Sequence, residues 1–191
     1  MHVLRVVRVL LVVLVVAAVV GAGSSVLSAR PDLDNAKRNV DTTWTAVASQ
    51  LDARYLQLAA VAQHLAAVPG PVHTVAAEAD TALSHWRDVR QHGSVAAQVA
   101  AANEVEAMAR RLLATQAASP RVRGNTTLVN DVDRFLSLST GTAAADFNQA
   151  VESYEHERRG PVRAVVAGIL RDRAIPTLDD TQIRQGGPAS S

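Results

Sequence analysis

The chain has 191 residues, enough for one domain with a leader and a tail. Apolar residues make up 48% of it and aromatics only 3%, so a core must be built from Ala, Val and Leu, which favours close-packed helices over a sheet sandwich. The formal net charge of +1 leaves no basic footprint for nucleic acid, and the lack of Cys excludes disulfides, thiol catalysis and Cys-ligated metal while fitting either side of a membrane.

The first element is the leader MHVLRVVRVLLVVLVVAAVVGAGSSVLSAR. Arg5 and Arg8 precede an apolar run from Val9 to Ala22, which Gly23, Ser24 and Ser25 interrupt and Val26 and Leu27 extend. Counted to Leu27, the run approaches the roughly 20 residues that span a hydrocarbon core. Counted to Ala22, it has the length of a cleavable signal core. Both readings are open, and the absence of an A-x-A triplet favours a retained anchor, so residues 1–30 are expected to form an N-terminal transmembrane helix. Arg5 and Arg8 favour a cytoplasmic N-terminus with the domain on the extracytoplasmic side; Arg30, Lys37 and Arg38, beyond the other end, count against it.

A helix start is expected at ARPDLDN, with Pro31 in the first turn and Asp32 and Asp34 at the positive end. Val40, Trp44, Val47, Leu51, Tyr55, Leu58, Ala62 and Leu65 then recur in steps of four and three, the spacing of a helix that buries one stripe against other helices. Gln50 and Arg54 flank the stripe, where polar side chains can pair across the seam. VPGP at Val68 to Pro71 ends it. A second helix carries Val72, Val75, Ala79, Leu83, Trp86 and Val89, and stops at Gly93, with Ser94 as the N-cap of the next. The third carries Val95, Val99, Ala102, Val105, Ala109 and Leu112, and ends before the loop marked by Pro120 and Gly124. The fourth begins near Asn125 or Thr126 and carries Leu128, Val132, Phe135, Ser139, Ala143, Phe147, Ala150 and Tyr154, with Gly141 marking a kink or a close crossing. After RRGP at Arg158 to Pro161 comes a short apolar stretch, Val162 to Leu170; Arg171 to Ser191 lacks apolar periodicity and reads as a disordered tail. Short connections and the absence of period-two alternation give an all-α chain: residues 31–170 as an antiparallel four-helix bundle between the anchor and the tail.

Residues that could carry chemistry do not assemble into a motif. His85 and His92 are seven apart, His64 and His73 flank the first interhelical turn, and His156 lacks a second His at the metalloprotease interval, so solvated surface histidines are the favoured reading over a metal site. Asp131 and Asp133, and Asp179 and Asp180, fit no EF-hand loop. Ser84 is adjacent to His85 rather than facing it, which argues against a nucleophile and base. Arg110, Arg111, Arg121 and Arg123 form one basic group and Arg158, Arg159, Arg163, Arg171 and Arg173 another; each could meet anionic lipid or an acidic partner, and each also fits an ordinary basic surface. No residue is assigned a catalytic, cofactor-binding or metal-ligating role.

Three segments carry a family resemblance. Asn39, Val40, Asp41, Trp44, Gln50, Leu51 and Arg54 follow directly on the hydrophobic leader; RLLAT spans Arg111 to Thr115; and FNQAVESY supplies Phe147, Asn148, Ala150, Val151 and Tyr154. In order and spacing these resemble the LemA family of bacterial membrane-associated proteins, over about Asp34 to Leu170. Ala59 and Ala60 stand where that family commonly has a Pro-Asn pair, and an acidic-Asn pair is replaced near Thr140 and Gly141, so the chain looks like a divergent member. The resemblance implies a four-helix antiparallel bundle on a membrane anchor and no agreed catalytic activity. The function expected is a membrane-anchored, non-enzymatic interaction or scaffold module at the bacterial cell envelope, with the membrane and envelope proteins as partners. The alternative is an exported enzyme or ligand-binding domain with a pocket inside the bundle, which needs polar residues converging from facing helices.

Overall fold

The computed structural model describes residues 2–122, 125–159 and 174–179, with side chains from Pro31 onward. The chain is all-α: five helices and, among the described residues, no strand. They are α1 (His2–Ala66), α2 (Pro71–His92), α3 (Val95–Ala118), α4 (Thr126–Ser137) and α5 (Gly141–Arg158). Among the described residues no helix is long and apolar enough to cross a membrane. The side chains of the leader, on which the expected anchor rests, lie outside those residues, as do the apolar stretch Val162 to Leu170 and the end of the tail from Asp180.

The first boundary departs from expectation. Pro31 does not open a helix; it lies inside α1, which runs on from His2. An interior proline removes one backbone donor and crowds the preceding turn, yet leaves the other hydrogen bonds of a helix this long in place.

The stripes behave as their spacing requires. Along α1, Val40, Trp44, Val47, Leu51, Tyr55, Leu58, Ala62 and Leu65 are all buried. On α2, Val72, Val75, Ala79, Leu83 and Trp86 are buried and Val89 packs against the core; on α3, Val99, Ala102, Val105, Ala109 and Leu112 are buried with Val95 at the edge. Fully burying a Val or Leu side chain contributes roughly 1.5–3 kcal/mol, so these stripes supply most of the drive for helices that would be marginal alone. α1 packs on each of the other four helices, and α2 packs on α3. Paired residues give the directions: Asp52 reaches Trp86 and Ala66 meets His73, so α2 runs back along α1, while Glu104 to His85 and Arg111 to Glu78 turn α3 back along α2.

Local caps explain the corners. Gly93 ends α2, and the Ser94 hydroxyl accepts from Ala97 N–H at 3.3 Å to cap α3. Gly93 has φ −86°, which any residue adopts, so its need is for space: a Cβ there would lie 2.5 Å from Val89 Cγ1 and 2.6 Å from the Val89 carbonyl oxygen. Asn125 caps α4 by accepting from Leu128 N–H at 3.2 Å.

The fourth expected helix is two. It breaks at residues 138–140 and restarts at Gly141, whose φ of +23° suits glycine. Leu128, Phe135, Phe147, Ala150 and Tyr154 keep their buried places, but Ser139 falls in the break and is exposed, and in the first turn of α5 Ala144 is buried while Ala143 packs half-buried against the core.

Part of the expected tail departs from expectation. Residues 174–179 are docked: Leu178 is 4% exposed within the core and Ile175 packs against it, although Arg171 to Ser191 as a whole reads as disordered. Two apolar side chains around a proline are too few to register as a periodic pattern, yet enough to seat a short extended strip.

Two substitutions test this packing by chemical denaturation. Trp44→Ala should lower unfolding stability by about 3–5 kcal/mol, the range for large aromatic truncation in a core. Gly93→Ala should lower it by about 1–3 kcal/mol through overpacking against a backbone oxygen that cannot move away cheaply. A wild-type midpoint for either variant would contradict the packing.

Candidate functional site

Arg54, three residues past Leu51 on α1, is buried at the point where α4 ends. Its Nε donates to Glu106 Oε1 at 2.9 Å and its Nη2 to Glu106 Oε2 at 3.2 Å, a bidentate pair with α3. Its Nη1 donates to the carbonyls of Phe135 at 3.0 Å and Leu138 at 2.7 Å. The Phe135 oxygen also accepts the Leu138 N–H at 3.3 Å, the closing bond of α4, and the Leu138 oxygen lies past the helix end, where no further turn continues. The guanidinium also lies 3.9 Å from the centroid of the Phe135 ring, where a cation is attracted to the aromatic face. One side chain therefore joins α1, α3 and the end of α4.

A second polar line runs beside it. Trp44 Nε1 donates to Gln98 Oε1 at 2.7 Å, and Gln98 Nε2 donates to the Gly93 carbonyl at 2.9 Å, tying the middle of α1 to the α2–α3 corner. Tyr55 donates its hydroxyl to the Ala102 carbonyl at 3.1 Å. Trp86 Nε1 and Arg90 Nε donate to the two carboxylate oxygens of Asp52 at 3.1 and 3.2 Å. Between these bonds the rings meet at an angle: Trp44 and Phe147 tilted with centroids 5.0 Å apart, and Tyr55–Trp86 and Trp44–Trp86 edge to face at 5.3 and 6.4 Å. Of the two residues expected to flank the seam, Arg54 pairs across it and Gln50 is exposed.

A groove lies between α3 and α5. These helices do not pack directly on one another, and residues 174–179 lie between them. Asn148 on α5 grips Leu178 from both sides of its backbone: its Nδ2 donates to the Leu178 carbonyl at 2.9 Å and its Oδ1 accepts from Leu178 N–H at 2.8 Å. Asn103 on α3 does the same across two residues, donating to the Thr177 carbonyl at 3.0 Å and accepting from Asp179 N–H at 2.8 Å. Glu155 Oε1 accepts from Ile175 N–H at 3.3 Å, while its Oε2 pairs with Arg158. Beyond Ile175 a cleft of about 550 Å³ continues past Glu152, His156, Arg158 and Arg159.

The residues weighed for chemistry are scattered. His85 meets Glu104 at 3.1 Å, His64 lies 2.7 Å from Asp131 and His92 lies 3.6 Å from Asp88, each at least partly in solvent. Among the described residues no group of three or more potential metal ligands converges. Ser84 and Asp133 are exposed, and Asp179 is drawn to Asn103 through its backbone. Of the first basic group, Arg111 pairs with Glu78 and Arg121 donates to the Pro69 carbonyl, while Arg123 lies outside the described residues. Of the second, Arg158 is tied to Glu155, Arg159 is exposed, and Arg163, Arg171 and Arg173 lie outside them. Sequence reasoning missed Gln98, Glu106 and Asn103, which sit among helix-surface polar residues of the same types. It reached Asn148 only through the resemblance. The signal for the docked strip was present in Ile175, Pro176 and Leu178, two apolar residues around a proline in a polar tail.

No protein-family model, curated protein or solved structure matches the chain.

Burial, with the nearby Glu106 carboxylate adding to it, raises the Tyr55 hydroxyl pKa well above its ordinary 10.0. The folded state thus holds this proton more tightly than the unfolded state, and the resulting stability is complete below about pH 10 and is lost as pH rises through the folded-state pKa. Alkaline denaturation should therefore show stability falling above about pH 10, and Tyr55→Phe should flatten that fall. Arg54→Ala should cost about 3–5 kcal/mol in a denaturant titration, because it strands Glu106 and takes a donor from the Leu138 carbonyl. Arg54→Lys should recover only part of this, since an ammonium cannot make the bidentate pair.

Proposed function

We propose that the chain is a membrane-tethered interaction module of the bacterial cell envelope, without catalysis of its own. In this reading residues 1–30 form the transmembrane anchor, and α1, α2, α3 and the broken α4–α5 arm make an antiparallel four-arm bundle with its domain on the extracytoplasmic side. The chain would stand as a divergent member of the LemA family. The observation that carries the reading is the use made of the buried and half-buried polar side chains. Arg54, Glu106, Gln98, Trp44 and Tyr55 are each bonded to another helix or to a corner carbonyl. Groups held in this way brace helices rather than wait for a substrate. Of the residues that carry the family resemblance, Trp44, Leu51, Arg54, Phe147 and Tyr154 are buried here while Asn39, Asp41 and Gln50 are exposed, and the buried set fits a shared scaffold better than a shared reaction.

Fractionation of cells expressing the full chain tests the tether. The chain should pellet with membranes and resist both high salt and alkaline wash, because burial of an apolar helix is not screened by ions. A chain lacking residues 1–30 should be soluble. A mature N-terminus near Ser24, or release of the intact chain by salt alone, would defeat the anchor. Crosslinking and affinity capture from those membranes would then identify the protein partners.

A further inference from the structure

We propose that the groove between α3 and α5 is a peptide-recognition site for extended segments of the form Ile-Pro-x-Leu carried by another protein, and that residues 174–179 occupy it as an internal competitor. The proposal takes the interaction-module reading as its premise and names the kind of partner.

The chemistry of recognition is visible in the occupant. A carboxamide offers one acceptor and donors side by side, so Asn148 can satisfy the N–H and the carbonyl of a single extended residue, as a neighbouring strand would. Asn103 extends the same reading to the carbonyl before that residue and the N–H after it. These contacts address backbone alone, so they accept any extended segment in the right register. Selection comes from side chains: Leu178 fills the buried position and Ile175 packs at its edge. Pro176 stands between them, favours an extended backbone and needs no donor there. Glu155 takes the N–H of the Ile position.

The occupant is built to be exchanged. It carries one fully buried apolar side chain, and its bonds to Asn103 are exposed to solvent. Ordering a short strip costs backbone entropy of the same order as these contacts return, so its hold is far weaker than that of a bundle helix. Because α3 and α5 do not meet directly, removing the strip leaves a trough with its two Asn readers in place rather than a closed surface.

The test uses the full chain in detergent micelles and a fluorescent peptide spanning residues 174–180. Leu178→Asp should eject the internal strip, and this variant should bind the peptide at least ten-fold more tightly than the unmodified chain. Adding Asn103→Ala and Asn148→Ala should remove at least ten-fold of that affinity, and a peptide with Asp at the Leu178 position should not bind. The proposal is overturned if Leu178→Asp, helical and cooperatively folded, binds no better than the unmodified chain, or if the Asn variants bind equally well. Should Leu178→Asp fail to fold, excess peptide on the unmodified chain decides: hydrogen exchange at the Leu178 and Asp179 amides must speed up, and unchanged exchange overturns the proposal. Each readout is independent of membrane attachment, so failure here and failure of the tether are separate results.

Discussion

A buried guanidinium sets the terms for this bundle. Removing a cation from water costs several kcal/mol even after relaxation, and the charge is tolerated only where its donors are met. Arg54 meets that condition with Glu106 on one side and the Phe135 and Leu138 carbonyls on the other. The two needs are mutual. A helix that stops at Ser137 leaves carbonyls that water would otherwise have to satisfy, and a buried arginine needs acceptors. The break between α4 and α5 and the position of α3 are thus coupled through one residue of α1. A hydrophobic replacement of similar volume can equal such a pair in stability but cannot specify where the helix must end.

The remaining polar contacts follow the same economy. The two Trp, two Tyr and two Phe of the chain are all buried, and both indoles and the Tyr55 hydroxyl find acceptors. In a core otherwise made of Ala, Val and Leu, these rings supply large contact areas at few positions, and their polar ends fix the rotation of α1 against α2 and α3. Small Ala side chains bring the helices close elsewhere, while the rings and their bonds set the register.

The α3–α5 side is organised differently. There the chain closes its bundle with a strip held mainly through backbone, by side-chain amides that are indifferent to most of what they hold. Such a seam is weaker than the α1–α2 and α2–α3 packing and is the natural place for a second segment to enter. The result is a molecule with a rigid side braced by Arg54 and the aromatic rings and a side completed by a replaceable piece.

Much of this was readable from residue order. Apolar steps of four and three placed the buried faces of α1, α2 and α3, and Gly93, Ser94 and Asn125 marked their corners, because helical periodicity and capping are local properties of the chain. Gly141 announced a disturbance without its extent; whether it kinks or divides the helix depends on Arg54, eighty-odd residues earlier and close only after folding. The continuity of α1 through Pro31 was equally hidden, since a proline that can start a helix can also sit inside one when the turns on both sides persist. The partners of Arg54, Trp44 and Asn148 could not be assigned from sequence either. Glu106, Gln98 and residues 177–179 resemble many other polar or tail residues until packing brings one of them within 3 Å. Periodicity determines which faces are buried, whereas polar pairing is decided by proximity across elements, which exists only in the folded chain.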